Sequence, residues 1–308
     1  MPDQFTHYLV AREAARKLDV QLDGKAFALG AQGADLLYYT EAFGSKLGTR
    51  IGFVIHRVHT GSVPAFFGQF AEKLSEPSRK IVLSYAAGIV THFWSDVIFH
   101  PYITYRTGVF ILGRPETVVA RYRHKRMESA MDFIFAKHLN LIPPIEKFNP
   151  AIWITRYRTL PKVLREAWRQ VARHYDFRDV DVGRVAEIGY IGMRLYGALF
   201  YPPTRWRYVA AHILKLLIPF VPWFTYLPVT RPATDFTNEN HDVWFHPCLP
   251  NRPRRESIFD MFDKAVDLSA SSIKRFLKDP TGFRLPDLSL ETGLEGECEY
   301  KVFDIIEI

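Results

Sequence analysis

The sequence predicts an all-α protein, and three observations support this fold class. Apolar residues recur at helical spacing in long segments that are rich in helix-forming residues. Runs of alternating apolar and polar residues, which would indicate strands, are scarce. Short stretches that contain proline separate the periodic segments, as expected where one helix ends and the next begins. These features together predict a multi-helical bundle.

The helical segments follow one another along most of the chain. A break at Pro77 divides the second segment into two helices, and Pro115 lies near the first turn of the third, where proline is tolerated. The segments are residues 5–18, 62–100, 114–139, 160–175, 182–200 and 257–277. We expect one helical domain over residues 1–284, with an elaboration at 150–284. The acidic, non-periodic residues 285–308 are expected to form a tail or to wrap around the domain.

The composition indicates a globular protein with some preference for anionic partners. The chain has 308 residues, of which 48% are hydrophobic and 15% aromatic. Its net charge of +7 and pI near 9.3 favour phospholipid headgroups, nucleic acid or phosphorylated substrates. Ordinary solubility charge explains the same values equally well. The sequence has no Walker loop, no Gly-x-Ser-x-Gly elbow and no dinucleotide fingerprint, which argues against those enzyme classes.

The predicted location is the cytoplasm, with peripheral contact at the inner membrane face. The N-terminal residues lack the pattern of a signal peptide. Cys248 and Cys298 are far apart, so no disulfide framework is expected and a reducing compartment is favoured. No uninterrupted apolar run reaches 18 residues, and the nearest approach, residues 208–228, contains Lys215 and three prolines. A transmembrane helix is therefore not expected.

The run THFWSDVIFHPYITY, residues 91–105, places three metal-type ligands in an apolar segment. His92, Asp96 and His100 are four residues apart, so on a helix they share one face. His92 and Asp96 can hold one ion together, but His92 and His100 are about 12 Å apart along the axis. If all three are ligands, more than one ion is present. Pro101 predicts that the helix ends at His100.

A second pair with the same spacing lies on the long helix that follows. His124 and Glu128 are four residues apart, and Asp132 continues that face by one turn. Asp132 either holds His124 as a hydrogen-bond partner or makes a surface salt bridge, and we favour the salt bridge.

Three more residues upstream are candidate ligands, although each has an ordinary structural explanation. His7 fits an exposed histidine at a helix start, and Asp35 fits a helix cap after a glycine turn. His56 fits a core histidine with a satisfied hydrogen bond.

The eight candidate ligands, taken in order, resemble the zinc-dependent phospholipase C family, a relative of the P1-type nucleases. The stretches FTHYLVAREA, LGAQGADLLYY and AGIVTHFWSDVIFHPYI resemble the bacterial, non-secreted branch. The resemblance covers about residues 4–140. The eight residues are His7, Asp35, His56, His92, Asp96, His100, His124 and Glu128.

This resemblance implies an all-α fold around a cluster of two or three zinc ions. Asp35, His56, His92 and Asp96 would hold one ion. A second ion would be held by His100, His124 and Glu128. A third would be held by His7 and a bridging Asp96. Secreted members complete this third site with a processed N-terminal residue, whereas here Met-Pro-Asp precedes the helix that carries His7.

The activity implied is hydrolysis of a phosphodiester, most favourably a phospholipid, by attack of zinc-bound hydroxide on phosphorus. Asp35 is the candidate catalytic residue, which would orient or deprotonate the water. One alternative is a nuclease or another phosphodiesterase, although nucleic acid is the less favoured partner. Another alternative is a non-catalytic zinc-binding helical protein. No protein partner is implied.

A membrane-contact segment is predicted between residues 205 and 228. It combines Arg207 and Lys215 with Trp223 and Phe224, and basic residues beside aromatic ones suit a membrane interface. The alternative is a buried helix followed by a proline-rich loop.

Overall fold

The structure, a computed structural model, describes residues 4–111, 114–141, 151–200, 206, 209, 210, 213 and 235–306. Its α-helices are, in order, α1 (Gln4–Ala15), α2 (Gly24–Gly30), α3 (Leu47–Ile55), α4 (Val63–Ala71), α5 (Ser78–Thr107), α6 (Val118–His138), α7 (Ala151–Ile154), α8 (Lys162–Ala172), α9 (Val182–Phe200) and α10 (Ile258–Lys278). A 3-10 helix, Gly33–Phe43, joins α2 to α3, and shorter 3-10 turns lie at Thr60–Ser62, Pro115–Thr117 and Arg173–Tyr175. The antiparallel hairpin consists of β1 (Trp244–His246) and β2 (Leu249–Arg254). The all-α prediction is confirmed.

Helix α5 is the centre of the fold. It packs against α1, α2, α4, α6, α8 and α10. Its first half, including Tyr85 and Phe93, belongs to an apolar core shared with α2, α4 and α8. Its second half, including Phe99 and Ile103, belongs to another core shared with α1, α6 and α10. The polar residues between positions 92 and 100 therefore lie where the two cores meet.

The helix boundaries follow local signals in the sequence. The predicted break at Pro77 is confirmed, since α4 ends at Ala71 and α5 begins at Ser78. Helix α10 begins with a capping box, in which the Ser257 side chain accepts from the Asp260 N–H and the Asp260 carboxylate accepts from the Ser257 N–H. These signals fix where the elements begin.

Residues 285–306, here called the C-terminal segment, run along the helical domain without forming a helix. The N–H of Leu290 donates to the carbonyl of His56 at 3.0 Å. Further along, the N–H of Asp304 donates to the carbonyl of Tyr105 at 2.9 Å. These bonds tie the segment to α5 and to the end of α3, so within the described residues it follows the domain surface.

A disulfide bond fastens the C-terminal segment to the β-hairpin. Cys248 and Cys298 are bonded, with their Cα atoms 5.9 Å apart, within the usual range for a disulfide. The expectation of no disulfide is therefore wrong for this pair. Sequence spacing gave no hint of the pairing, because 50 residues separate the two cysteines.

Among the described helices, α5 is long and apolar enough to cross a membrane. However, 78% of its most apolar window is buried inside the protein. Core helices pass the same test of length and composition, so this property carries no weight here.

Candidate metal centre

Helix α5 carries three of the candidate ligands on one buried face. His92, Asp96 and His100 are all buried and recur every four residues, as predicted. The predicted end of the helix at His100 is wrong, because α5 continues through Pro101 to Thr107. The orientation of His100 is therefore set by a continuous helix and not by a turn.

The proline inside α5 coincides with a contact from the C-terminal segment. Pro101 has no N–H to donate to the carbonyl of Val97. The chain passes directly over that carbonyl at Gly293, where an added Cβ would lie 2.7 Å from the Val97 oxygen. Gly293 has a φ of +66°, which favours glycine. The C-terminal segment thus docks where the helix bonding is interrupted.

A first grouping joins Asp35 on the 3-10 helix, His56 after α3 and His92 on α5. The Nε2 atom of His56 lies 3.0 Å from Asp35 Oδ1 and 3.2 Å from His92 Nε2. Its Nδ1 atom lies 2.7 Å from the carbonyl of Gly52. Since a carbonyl only accepts, Nδ1 carries a proton, and a neutral ring then has its lone pair at Nε2. A lone pair facing a carboxylate oxygen at this distance is satisfied by a cation.

A second grouping joins His100 on α5 with His124 and Glu128 on α6. His124 Nε2 lies 2.9 Å from Glu128 Oε1, and the two histidine rings are 5.6 Å apart. The Nδ1 atom of His100 lies 2.5 Å from the carbonyl of Leu290. By the same argument, His100 presents its Nε2 lone pair to the centre.

A third grouping places Asp96 at the middle of the site. It joins Asp96 with His7 on α1 and with His92. Asp96 Oδ1 lies 3.4 Å from His7 Nε2 and 3.6 Å from His100 Nε2. Asp96 Oδ2 lies 3.1 Å from His92 Nε2 and 3.7 Å from His56 Nε2. Each oxygen faces a different pair of imidazoles, which is the arrangement required of a bridging carboxylate.

The three groupings include every ligand candidate drawn from the sequence. The residues brought together are His7, Asp35, His56, His92, Asp96, His100, His124 and Glu128. Met1 to Asp3, which precede the third grouping, lie outside the described residues. The predicted membrane-contact residues Arg207, Lys215, Trp223 and Phe224 also lie outside the described residues.

The chemistry of the buried donor set fits metal ions. Several of these atoms have no hydrogen-bond partner among the described residues, although burying a polar group without a partner is costly. They include both ring nitrogens of His7, Nε2 of His100 and both oxygens of Asp96. One cation between such atoms satisfies several of them at once. Imidazole and carboxylate are the ligands that zinc takes in proteins.

Without bound metal, burial determines the charge states of these residues. It lowers the pKa values of His7, His92 and His100 well below the ordinary histidine value, so the rings are neutral at pH 7. Burial and the nearby Asp35 carboxylate raise the pKa of Asp96 well above its ordinary value. Neutral imidazoles are the form that binds metal.

Glycine at position 33 makes room for a candidate ligand and was not singled out from the sequence. Gly33 begins the 3-10 helix with a φ of +51°. A Cβ added there would lie 2.1 Å from Cδ2 of His92. The signal in the sequence is the glycine two positions before Asp35, in the stretch GAQGADLL.

Asp132 does not make the predicted surface salt bridge. It is fully buried, and its carboxylate accepts from the N–H groups of Phe5 at 3.0 Å and Thr6 at 2.6 Å. It also accepts from the Thr6 hydroxyl at 2.5 Å. An acceptor at the start of a helix satisfies N–H groups that the helix itself leaves open. Asp132 therefore anchors the start of α1, next to His7.

The fold and the site together define a helical protein with a candidate metal centre, in which imidazoles and carboxylates from distant parts of the chain come together. A family model described as zinc dependent phospholipase C matches residues 6–177. The match covers more than half of the chain, so this protein belongs to the zinc-dependent phospholipase C family. The family is one of zinc-dependent phospholipid hydrolases. No curated protein and no solved structure matches the chain.

Proposed function

We propose that this protein is a zinc-dependent phosphodiester hydrolase, with phospholipid as its substrate, that binds two or three zinc ions. The observation that carries the proposal is the orientation of His56. Its Nδ1–H is taken by the carbonyl of Gly52, while its Nε2 faces Asp35 Oδ1 at 3.0 Å. A neutral histidine arranged in this way is oriented as a metal ligand. The family membership supports the same chemistry.

The composition of the donor set favours zinc over magnesium or calcium. Five of the eight residues are histidines, and the other three are carboxylates. Magnesium and calcium prefer shells made entirely of oxygen. Sites that combine imidazole with carboxylate suit zinc.

The bound zinc would lower the pKa of a coordinated water towards about 7 and would neutralise charge on the phosphodiester. Of the three carboxylates, Asp35 is proposed to orient the attacking water or to accept its proton at Oδ2. This oxygen lies 3.9 Å from His7 Nε2, whereas Oδ1 is turned towards His56 at 3.0 Å. Asp96 lies between four imidazoles. It is proposed to act as a bridging ligand that links the groupings to one another. His124 is the most open candidate ligand, with a side chain 24% exposed, so substrate is proposed to enter on its side.

The proposed function is tested by combining metal analysis with a substrate panel. We expect two or three zinc ions per chain by elemental analysis and hydrolysis of phosphatidylcholine vesicles that exceeds hydrolysis of single-stranded DNA and bis-nitrophenyl phosphate. His92→Gln removes a ligand and is expected to lose zinc and activity together. His241→Asn is a matched control, because His241 is an exposed histidine outside the three groupings whose φ of 55° asparagine tolerates.

The panel also separates the two alternatives. Preferential hydrolysis of DNA would favour a nuclease. Stoichiometric zinc with no hydrolysis of any substrate would favour a non-catalytic zinc-binding protein, in which the metal only ties the helices together. Absence of zinc after refolding with the metal would reject all three functions. The cytoplasmic location with peripheral membrane contact stays a prediction, and the Cys248–Cys298 disulfide removes the argument for it from the cysteines.

A further inference from the structure

Helix α3 presents one face to the interior and the opposite face to solvent. Gly48, Ile51, Gly52 and Ile55 are buried against the fold. The outward positions of the helix lie at 47, 50 and 53, a spacing of three residues that keeps them on one side of its axis, and the exposed residue 57 follows two positions after its end. This arrangement is that of an amphipathic helix, but the outward side carries apolar residues as well.

The outward side of α3 and its flanking residues expose several large apolar side chains. Leu47 is 41% exposed and Phe53 is 42% exposed. Phe43, at the end of the preceding 3-10 helix, is 50% exposed, and Val58, just beyond α3, is 43% exposed. Single exposed apolar side chains are ordinary, whereas a contiguous group marks an interaction surface.

Cations are interleaved with these apolar side chains. Arg50 and Arg57 are exposed, and the guanidinium of Arg57 lies 3.6 Å from the centre of the Phe53 ring. Lys46 is exposed beside Leu47. Glu41 is the sole carboxylate between positions 36 and 62. The surface is therefore both apolar and positively charged.

Two carboxylates lie near this surface, Glu41 and Glu291, and both are already engaged, Glu291 with Arg57. Glu41 accepts from the Thr49 hydroxyl at 2.8 Å and pairs with Arg121 at 3.7 Å. The pair with Arg121 joins the surface to the start of α6, where Val119 is 50% exposed. Charge complementarity thus points to an anionic partner that is itself partly apolar.

This surface lies next to the candidate metal centre. His56 follows α3 directly, three residues after Phe53 and one before Arg57. Arg57 in turn pairs with Glu291 of the C-terminal segment, whose Leu290 contacts both His56 and His100. A partner that binds the outward side of α3 is therefore close to the proposed site, because only a few residues of the chain separate the two.

We propose that the α3 face, defined as Phe43, Lys46, Leu47, Arg50, Phe53 and Arg57, docks on a phospholipid bilayer that carries anionic headgroups. The apolar side chains enter the boundary between headgroups and acyl chains, and the cations meet the anionic surface. The proposal rests on the proposed function and deepens it, because it states how a phospholipid substrate is delivered to the site.

The test measures binding separately from hydrolysis. Wild type is expected to co-sediment with vesicles of two parts phosphatidylcholine to one part phosphatidylglycerol, with binding that weakens as salt is added. The double variant Leu47→Ser/Phe53→Ser is expected to bind about tenfold more weakly. Arg50→Gln is expected to lose about fivefold on these vesicles and little on pure phosphatidylcholine. Ile152→Ser is the matched control, because Ile152 is 64% exposed on α7, outside the α3 face.

Hydrolysis of a short-chain, monomeric phosphatidylcholine by the same variants completes the design. The double variant is expected to retain the wild-type kcat/KM on this soluble substrate and an unchanged urea unfolding midpoint. Vesicle binding that the double variant keeps in full would overturn the docking proposal. So would a concentration-dependent dimer that the double variant abolishes, since the face would then bind a second copy. Vesicle binding by a wild type that hydrolyses no phosphodiester would instead reject the proposed function and leave the docking face standing.

Discussion

The Nδ1 atom of His100 donates to the main-chain carbonyl of Leu290 at 2.5 Å, across a sequence separation of 190 residues. A hydrogen bond from the far ring nitrogen fixes both the tautomer and the ring orientation of a metal-ligating histidine. The same residue, Leu290, donates its N–H to the carbonyl of His56 at 3.0 Å. The C-terminal segment therefore orients one grouping and contacts another, although it contributes no ligand to the described groupings.

Removing the disulfide is expected to loosen this arrangement. Cys298→Ser frees the C-terminal segment eight residues beyond Leu290, and the 50-residue separation of the cysteines corresponds to about 4 kcal/mol of unfolding free energy. Urea unfolding under non-reducing conditions measures the loss. We expect weaker zinc binding at the second grouping as well, detected as loss of one ion during dialysis against a mild chelator.

Cys248→Ser provides the comparison for that prediction, because it breaks the same bond from the hairpin side. Under non-reducing conditions, both variants are expected to have the same unfolding free energy as wild type measured in a reducing buffer. A wild type whose stability is insensitive to reductant, with two alkylatable thiols by mass spectrometry, would contradict the pairing.

Gly33→Ala is expected to disturb the first grouping by steric contact with His92. The added Cβ would lie 2.1 Å from Cδ2 of that ring, and the φ of +51° adds backbone strain. Gly44→Ala is the matched control, since Gly44 has a φ of +74° and no atom lies within 4 Å of the place that an added methyl group would take. The control is expected to lose about 1 kcal/mol from strain alone.

Zinc content and urea unfolding separate the two effects. Gly33→Ala is expected to lose more stability than Gly44→Ala and, unlike it, to lose zinc. Equal zinc content in the two variants would show that the ring of His92 moves aside without cost.

Asp132→Ala is expected to release the start of α1. The carboxylate accepts from the N–H groups of Phe5 and Thr6, and hydrogen bonds to a charged acceptor contribute about 1.5–3 kcal/mol each. We expect a loss of at least about 3 kcal/mol in urea unfolding, together with weaker binding at the grouping that contains His7. Thr6→Val removes only the hydroxyl bond and is expected to cost about 1 kcal/mol. If Asp132 made a surface salt bridge instead, both variants would have nearly the stability of wild type.

The arrangement of His92, Asp96 and His100 followed from sequence spacing alone, because the helical period fixes which residues share a face. The geometry also required more than one ion, and the three groupings agree with that requirement. Local rules of this kind work where one helix carries the residues concerned.

The features that were predicted wrongly or missed from the sequence depend on contacts between distant parts of the chain. Pro101 was expected to end α5, but tertiary packing on both sides of the helix outweighs the local preference. Asp132 was assigned to the surface because its partners, Phe5 and Thr6, lie 126 or more residues away. Leu290 acts through its backbone, so its side chain gives no sign of the role.

Acidification is expected to destabilise the metal-free protein. Burial lowers the folded-state pKa values of His7, His92 and His100 below the ordinary value of about 6.5. Below pH 6.5 the unfolded chain therefore binds more protons than the folded one, and the unfolding free energy falls as pH drops towards the folded-state pKa values. The raised pKa of Asp96 acts in the opposite direction, since its contribution is present at low pH and is lost as pH rises.

Urea unfolding of the metal-free protein at pH 7.5, 6.5 and 5.5 measures the balance. In this site burial lowers the pKa of four histidines, since His124 behaves like the other three, and it raises the pKa of one carboxylate, so a net decline is predicted between pH 6.5 and 5.5. The His7→Gln/His100→Gln variant is expected to show a smaller decline. An unfolding free energy that rises as the pH is lowered from 6.5 to 5.5 would mean that the raised pKa of Asp96 outweighs the effect of the histidines.

Asp96→Asn is expected to remove more zinc than any other single ligand change. Asp96 lies within 3.7 Å of His7, His56, His92 and His100, with two imidazoles at each oxygen. The amide keeps the shape of the carboxylate but replaces one oxygen with an NH₂ group, which donates and does not bind metal. Elemental analysis is expected to show loss of at least two ions from a three-ion protein, or of both from a two-ion protein. Glu128→Gln, at the edge of the second grouping, is expected to cost one ion. If both variants lose a single ion, Asp96 binds one metal only and the groupings are not joined through it.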